Sequence, residues 1–146
     1  MTESRENYTT STEKEKFDID VIHSFLTRSY WAEGISKEVV ARSIEGSLSF
    51  GVYDNDKQIG FARMITDMAT FAYLADVFVI EEYRGRGLSK WLMEVIMSHP
   101  GLQGLRRMML ATKDAHGLYK LFGFRTLTHA ERWMQIHNPD IYKKAV

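Results

Sequence analysis

Tyr83-Arg84-Gly85-Arg86-Gly87-Leu88-Ser89 is the stretch on which the reading of this chain turns. Ahead of it, Tyr73 to Ile80 is an apolar run of strand character. Behind it, Leu88, Trp91, Leu92, Val95 and Ile96 recur at the spacing of one helix face. A glycine-rich turn between a strand and a helix leaves backbone N–H groups without partners at the helix start, and these donors together with the positive end of the helix dipole form an anion site. Glycines let a phosphate approach the backbone, and Arg84, Arg86 and Lys90 add formal charge. The motif reads as a pyrophosphate cradle or, more plainly, as a β-to-α turn with a solvated basic edge, and the rest of the chain has to separate the two.

The 146 residues suit one domain with a substantial core, and 45% hydrophobic with 26% charged residues reads as globular. Lys plus Arg and Asp plus Glu balance at 19 each, so no bulk charge draws the chain to nucleic acid or to an anionic membrane, and electrostatic recognition has to be local. The absence of cysteine excludes disulfides, a thiol nucleophile and Cys-ligated metal, and it fits a reducing compartment. No apolar run is long enough to span a bilayer, and the first residues carry no signal-like apolar segment, so the expectation is a cytoplasmic protein without a membrane anchor.

Residues 1–15 are dominated by Ser, Thr and Glu and can bury no face, which predicts a flexible arm before a single domain over 16–146. Phe17 and Ile19 flank Asp18 in alternation and predict a short first strand. Val21, Ile22, Phe25 and Leu26 follow at helical spacing with Asp20 as the N-cap, and the helix is expected to end near Ser29. Tyr30-Trp31-Ala32-Glu33-Gly34-Ile35 is an aromatic loop; Ser36 then caps a helix carrying Val39, Val40 and Ile44 on one face, with Gly46 at its end. Strand signals at 48–53, 59–65 and 71–80, joined by short turns, predict an antiparallel meander. Beyond the glycine loop, Pro100-Gly101 stops the helix; a strand over 106–112, a short helix over 115–122, strands over 124–127 and 133–137 and a surface turn at 138–144 complete the order. The result is an α/β (α+β) fold, a mixed and mostly antiparallel sheet of about seven strands flanked by about four helices.

Several familiar motifs fail. Gly85-x-Gly87 lacks the third glycine of a dinucleotide fingerprint, since Lys90 stands there, and the preceding strands are joined by hairpins. No nucleotide-hydrolysing P-loop occurs, and Gly87-Leu88-Ser89-Lys90-Trp91 is no nucleophile elbow. The five histidines share no ligand spacing, so no metal is expected. Scattered basic residues without an aromatic platform argue against nucleic-acid binding.

Three pieces in order carry a family resemblance: Val77-Phe78-Val79 at a strand end, Arg84-Gly85-Arg86-Gly87-Leu88-Ser89, and Leu118-Tyr119-Lys120-Leu121-Phe122-Gly123-Phe124. With the element order, over about residues 17–137, the chain resembles the GNAT superfamily of acetyl-CoA-dependent N-acetyltransferases. Ser89 departs from the Gly or Ala usual there. The resemblance implies acetyl-CoA as co-substrate, with its pantetheine arm along Val77, Phe78 and Val79, its pyrophosphate on Arg84, Gly85, Arg86, Gly87, Leu88 and Ser89, and Asp114 near the arm. It implies an acyltransferase acting on a primary amine of a small molecule or peptide by direct attack in a ternary complex, and a homodimer as the oligomer to test. The alternative is a non-catalytic acyl-CoA-binding sensor on the same fold.

Acetyl transfer needs a neutral amine, yet with a pKa of about 10.4 only roughly one lysine-like amine in a thousand is neutral at pH 7, so a base or a water chain has to take its proton. The departing thiol is helped by a proton donor. Tyr119, placed by the resemblance on the short helix that supplies this role, is the candidate acid. Asp76, a carboxylate inside an apolar strand, is costly unless paired, and reads equally as base, as anchor for the substrate amine, or as half of a buried ion pair. Tyr30 and Trp31, with Ile35 and the later Arg132, Trp133 and His137, are candidates for acceptor contact, with plain packing as the competing reading for each.

Overall fold

The computed structural model describes residues 2–143; Met1, at the start of the expected arm, and residues 144–146, at the end of the expected domain and its surface turn, lie outside them. Six strands form one sheet in sequence order: β1 (Thr2–Arg5), β2 (Tyr8–Ser11), β3 (Leu48–Asp54), β4 (Lys57–Thr66), β5 (Phe71–Val79) and β6 (Arg107–Leu110). Neighbours are antiparallel except β5 and β6, which are parallel. A parallel pair requires a crossover, and α3 (Leu88–Ser98) supplies it. The other helices are α1 (Ile19–Leu26), α2 (Lys37–Glu45) and α4 (His116–Lys120). The architecture is mixed α+β, as the sequence predicts, with six strands in place of about seven.

Local chemistry explains the boundaries. The Ser36 hydroxyl accepts from the Val39 N–H at 3.2 Å and starts α2, and Gly46 ends it. The β3–β4 hairpin turns on Asn55, whose φ of 54° is one that Asn tolerates. Asp67 organises the next turn by accepting the N–H groups of Ala69, Thr70 and Phe71. α1 is capped by Asp18, which accepts from the N–H groups of Asp20 and Val21, and not by Asp20 itself. That capping corrects the expected first strand: residues 17–19 turn into the helix.

Two further expectations change. Residues 2–11, read as part of a loose arm, form the β1–β2 hairpin, and β2 pairs with β3 through Tyr8↔Asp54 to Ser11↔Gly51. β1 is exposed throughout and is held by its pairing with β2, whose Tyr8 packs against the α3-side cluster and whose Thr10 and Ser11 are buried. Residues 124–127 and 133–137 belong to no strand. Their alternating pattern is present and a neighbouring strand is not.

The sheet separates two apolar clusters. Phe50, Val52, Ala62, Met64, Ala72 and Leu74 face α3, packing on Trp91, Leu92, Val95 and Ile96. Phe61 and Phe78 face α1 and α2, packing with Ile22, Leu26, Val40 and Ile44. Leu74 and Phe78 are an even number of residues apart yet lie on opposite faces, which strict alternation forbids. The register of β4 and β5 slips between Phe61↔Phe78 and Arg63↔Ala75, so that Asp76 and Val77 oppose Ala62 alone. This is a β-bulge with Asp76 at φ 57°, and it reverses the facing of the last third of β5.

Candidate active site

The glycine loop connects β5 to α3. Gly85 and Gly87 have φ of 80° and 75°, values that a residue with a Cβ adopts at a cost. Gly87 is the N-cap of α3 and has no side chain to satisfy the helix's first N–H groups; the Trp91 N–H is the one that reaches the Gly87 carbonyl, at 3.1 Å. The donors of residues 88–90 therefore point out of the helix start. Nothing lies within 4 Å of where a Gly85 Cβ would be, while a Gly87 Cβ would meet the Arg5 guanidinium at 3.7 Å. The Arg86 guanidinium lies over the Tyr83 ring at 4.9 Å and donates to the Tyr8 hydroxyl at 2.8 Å. Tyr83 in turn donates to Asp54 at 2.7 Å, and that bond raises its pKa. Arg84 folds back, its Nε donating to the Val79 carbonyl at 3.0 Å. Open glycines, outward N–H groups and anchored guanidinium groups fit a pyrophosphate.

β5 and β6 pair from Phe71↔Arg107 to Leu74↔Leu110 and then part, while β5 continues to Val79. On its β4 side the continuation stays paired, through Phe61↔Phe78 and Gly60↔Val79. On its β6 side, Val77, Phe78 and Val79 have no strand beside them among the described residues, although the Val79 carbonyl is occupied by Arg84 Nε at 3.0 Å. The bulge at Asp76 stands where the strands separate.

Asp76 is the half of an ion pair that its residue type left as one of three roles. Its Oδ2 accepts from Arg63 Nε at 2.8 Å, with the two side chains only 9% and 16% exposed. Its Oδ1 accepts from Trp31 Nε1 at 2.9 Å, and Arg63 Nη1 continues to Ser47 Oγ at 3.1 Å. The carboxylate thus ties the aromatic loop after α1 to the sheet. On the other side of the opening, the Lys113 N–H donates to the Tyr30 hydroxyl at 3.3 Å and Lys113 Nζ lies 5.4 Å from its ring. Tyr30 and Trp31 therefore span the mouth between the diverging strands, one neighbour held to each side.

Tyr119, on α4, is buried against Phe124. Burial, then the nearby Tyr30 and Asp114, push its hydroxyl pKa up, so it stays protonated as a donor must. Asp114 is exposed in the loop between β6 and α4, close enough to act on Tyr119. Ile35 is buried in the α1–α2 cluster, which makes it a packing residue here, whereas Trp133 is exposed, with the Arg107 guanidinium 4.5 Å from its ring. The helical side of the mouth is a cleft of about 720 Å³ walled by Phe25, Tyr30, Trp31, Ile80 and Arg84.

The sequence reading missed Arg5, Tyr8 and Arg63. Arg5 Nη1 donates to the Gly87 carbonyl at 3.4 Å, so the N-terminal hairpin adds a cation and a hydroxyl to the anion loop. Strand register alone brings Arg63 to Asp76.

A mixed sheet parted beside a glycine-rich helix start is the layout of an acetyltransferase fold. The chain belongs to the acetyltransferase (GNAT) family, whose model matches residues 13–124. It is 46% identical to a provisionally named GNAT acetyltransferase of Xanthomonas campestris pv. campestris, whose crystal structure aligns with a TM-score of 0.93 over 97% of this chain and 100% of that one. A provisionally named acetyltransferase of Gibberella zeae is 30% identical over 139 residues, 80% of this chain and 77% of the relative. The thialysine N-epsilon-acetyltransferase of Sus scrofa shares 37% identity over 65 residues, 42% of this chain and 38% of the relative. A provisionally named acetyltransferase of Clostridium acetobutylicum, solved with acetyl-CoA, shares the fold at a TM-score of 0.64 and 16% identity, over 94% of this chain and 96% of that one.

Proposed function

We propose that this chain is an N-acetyltransferase that moves an acetyl group from acetyl-CoA to a primary amine of a small molecule or peptide by direct attack in a ternary complex. The observation that carries the reading is the parted β5 edge at Val77–Val79, which leads from the glycine loop to buried Tyr119 and the Trp31–Asp76 bridge. Acetyl-CoA, when bound, supplies an activated thioester. The free strand edge orients its amide-bearing arm, and the 84–89 backbone with Arg5 and Arg86 holds its phosphates. Asp114 stands near the arm, where a polar contact fits.

Tyr119 keeps a proton on its hydroxyl and delivers it to the departing sulfur. Trp31 and Tyr30 form the acceptor wall. Asp76 fixes that wall through Trp31 and offers the remaining lone pairs of its oxygens to a water that draws the amine's proton. A primary amine is the acceptor class in keeping with the N-epsilon reaction in the name of the Sus scrofa relative.

Thiol release from acetyl-CoA over a panel of amines tests the activity. At least one amine should give turnover, and Tyr119→Phe should lower kcat by about 10²–10⁴-fold with cofactor affinity unchanged. Tight acetyl-CoA binding with no thiol release across the panel would favour a sensor instead. Wild-type kcat in Tyr119→Phe would remove Tyr119 from the chemistry.

A further inference from the structure

One primary amine already sits at the acceptor wall, and it belongs to the chain. Lys113, exposed in the loop between β6 and α4, places its Nζ 5.4 Å from the centre of the Tyr30 ring. Its backbone N–H donates to the hydroxyl of the same tyrosine at 3.3 Å, so Lys113 meets Tyr30 through both its side chain and its backbone. After burial, Tyr30 and Asp114 are what raise the pKa of the Tyr119 hydroxyl, which puts both close to it. Lys113 precedes Asp114 in the chain and holds its amine over Tyr30. The amine thus lies between the acceptor wall and the proton donor.

Several other lysines are held by oxygen partners. Lys14 Nζ donates to the Glu45 carbonyl at 2.9 Å, Lys16 pairs with Glu13 at 3.1 Å, Lys37 pairs with Asp20, and Lys143 pairs with Asp140 at 2.8 Å. Among the described residues Lys113 is in no ion pair, and what its ammonium touches is a ring face. Such a contact is weak at an exposed position, and a long flexible stem lets the nitrogen leave it. The tether nevertheless keeps the amine at the mouth, which replaces an encounter between two molecules by a motion within one.

We infer that Lys113 is an acceptor for its own site: the chain acetylates this lysine, and the modified side chain then restricts the entry of other amines. The inference rests on the transferase reading above. The ammonium first loses a proton to solvent. The Lys113 nitrogen then attacks the thioester carbonyl, the C–N bond forms and the C–S bond breaks. The sulfur takes a proton from Tyr119, which regains it from the one that the nitrogen gives up on becoming an amide. The products are an acetylated Lys113, free CoA and one proton in solution, and no other reactant is needed. Acetylation removes the charge over Tyr30 and leaves a neutral acetamide at the mouth. A chain with donor at hand and no outside amine would mark itself and narrow its own entrance.

Incubation of the full chain with acetyl-CoA carrying a deuterated acetyl group, followed by digestion and mass spectrometry, tests the transfer. Lys113 should be labelled ahead of Lys90 and Lys120, which are exposed on α3 and α4. The rate constant should be independent of protein concentration and should saturate at the acetyl-CoA Kd read by calorimetry. Label spread evenly over the lysines, a rate constant that rises with protein concentration, or a rate that climbs linearly with acetyl-CoA would each overturn the inference. Hydrogen exchange of the empty protein tests the switch. Lys113→Gln, neutral as the modified residue is, should lose amide protection at 113, and Lys113→Arg should keep it; equal protection in both overturns the hold on Tyr30 that the switch needs. Acetyl-CoA that binds and acetylates panel amines while Lys113 stays unlabelled overturns self-transfer and leaves the transferase reading standing, whereas no binding in calorimetry overturns both.

Discussion

Asp76→Asn is the substitution that probes the site most directly. The amide keeps the left-handed backbone, which Asn tolerates, and still accepts from Trp31 Nε1, but it leaves the Arg63 guanidinium uncompensated at 16% exposure. Removing one member of a buried pair costs about 3–5 kcal/mol, and the retained bond puts this variant near the lower end, about 3 kcal/mol. For a chain of this size that is a fall in Tm of roughly 10 °C. Asp76→Ala loses the Trp31 bond as well and forces alanine to φ 57°, adding roughly 1–2 kcal/mol. Urea unfolding of both variants, and of Arg63→Met/Asp76→Asn, reads these differences. The double variant should recover at least half of the loss, because the stranded charge is gone. An Asp76→Asn loss below about 1 kcal/mol, or a double variant no better than the single, would refute the ion pair as the element that fixes the Trp31 loop.

Arg86→Glu should weaken acetyl-CoA binding at least tenfold by calorimetry, since it exchanges a charge-assisted contact of about 1.5–3 kcal/mol for repulsion; unchanged affinity would remove the loop from phosphate binding. Gly87→Ala places a Cβ at φ 75° and should cost about 1–2 kcal/mol in denaturant unfolding while lowering cofactor affinity. The His99 pKa is lowered by burial, and its Nδ1 accepts the Gly101 N–H at 2.9 Å, a role open to the neutral ring alone. A depressed folded-state pKa means stability that is complete above the unfolded value of about 6.5 and declines as pH falls below it. Thermal melts between pH 8 and pH 5 should show that decline in the wild type and a flatter profile in His99→Gln.

What the sequence disclosed followed from how local each signal was. The meander, the glycine loop and α3 announce themselves through alternation, turn residues and helical spacing within one stretch. The β1–β2 hairpin does not, because it has no apolar face and is held by pairing with β3, a partner some forty residues on. Asp76 was recognisable as an anomaly, yet its partner was hidden: Arg63 sits on the adjacent strand, and the bulge that aims the two together is a matter of register. Residues 124–127 and 133–137 show the converse, a legible strand pattern that pairs with no strand among the described residues. For the site, residue types suggested Tyr119 and the loop, whereas the bridge made by Tyr30 and Trp31 across the mouth depends on tertiary placement alone.

The reach of Arg5 to Gly87 carries a practical consequence. On the proposed reading, donor recognition begins at the fifth residue, on a strand whose residues are all exposed. Deleting residues 2–5, or joining a bulky tag there, would leave melting behaviour nearly intact while loosening the grip on the phosphates. A preparation judged sound by its thermal stability could thus be crippled in its affinity for the donor, and titration with acetyl-CoA is the quality control that would expose it.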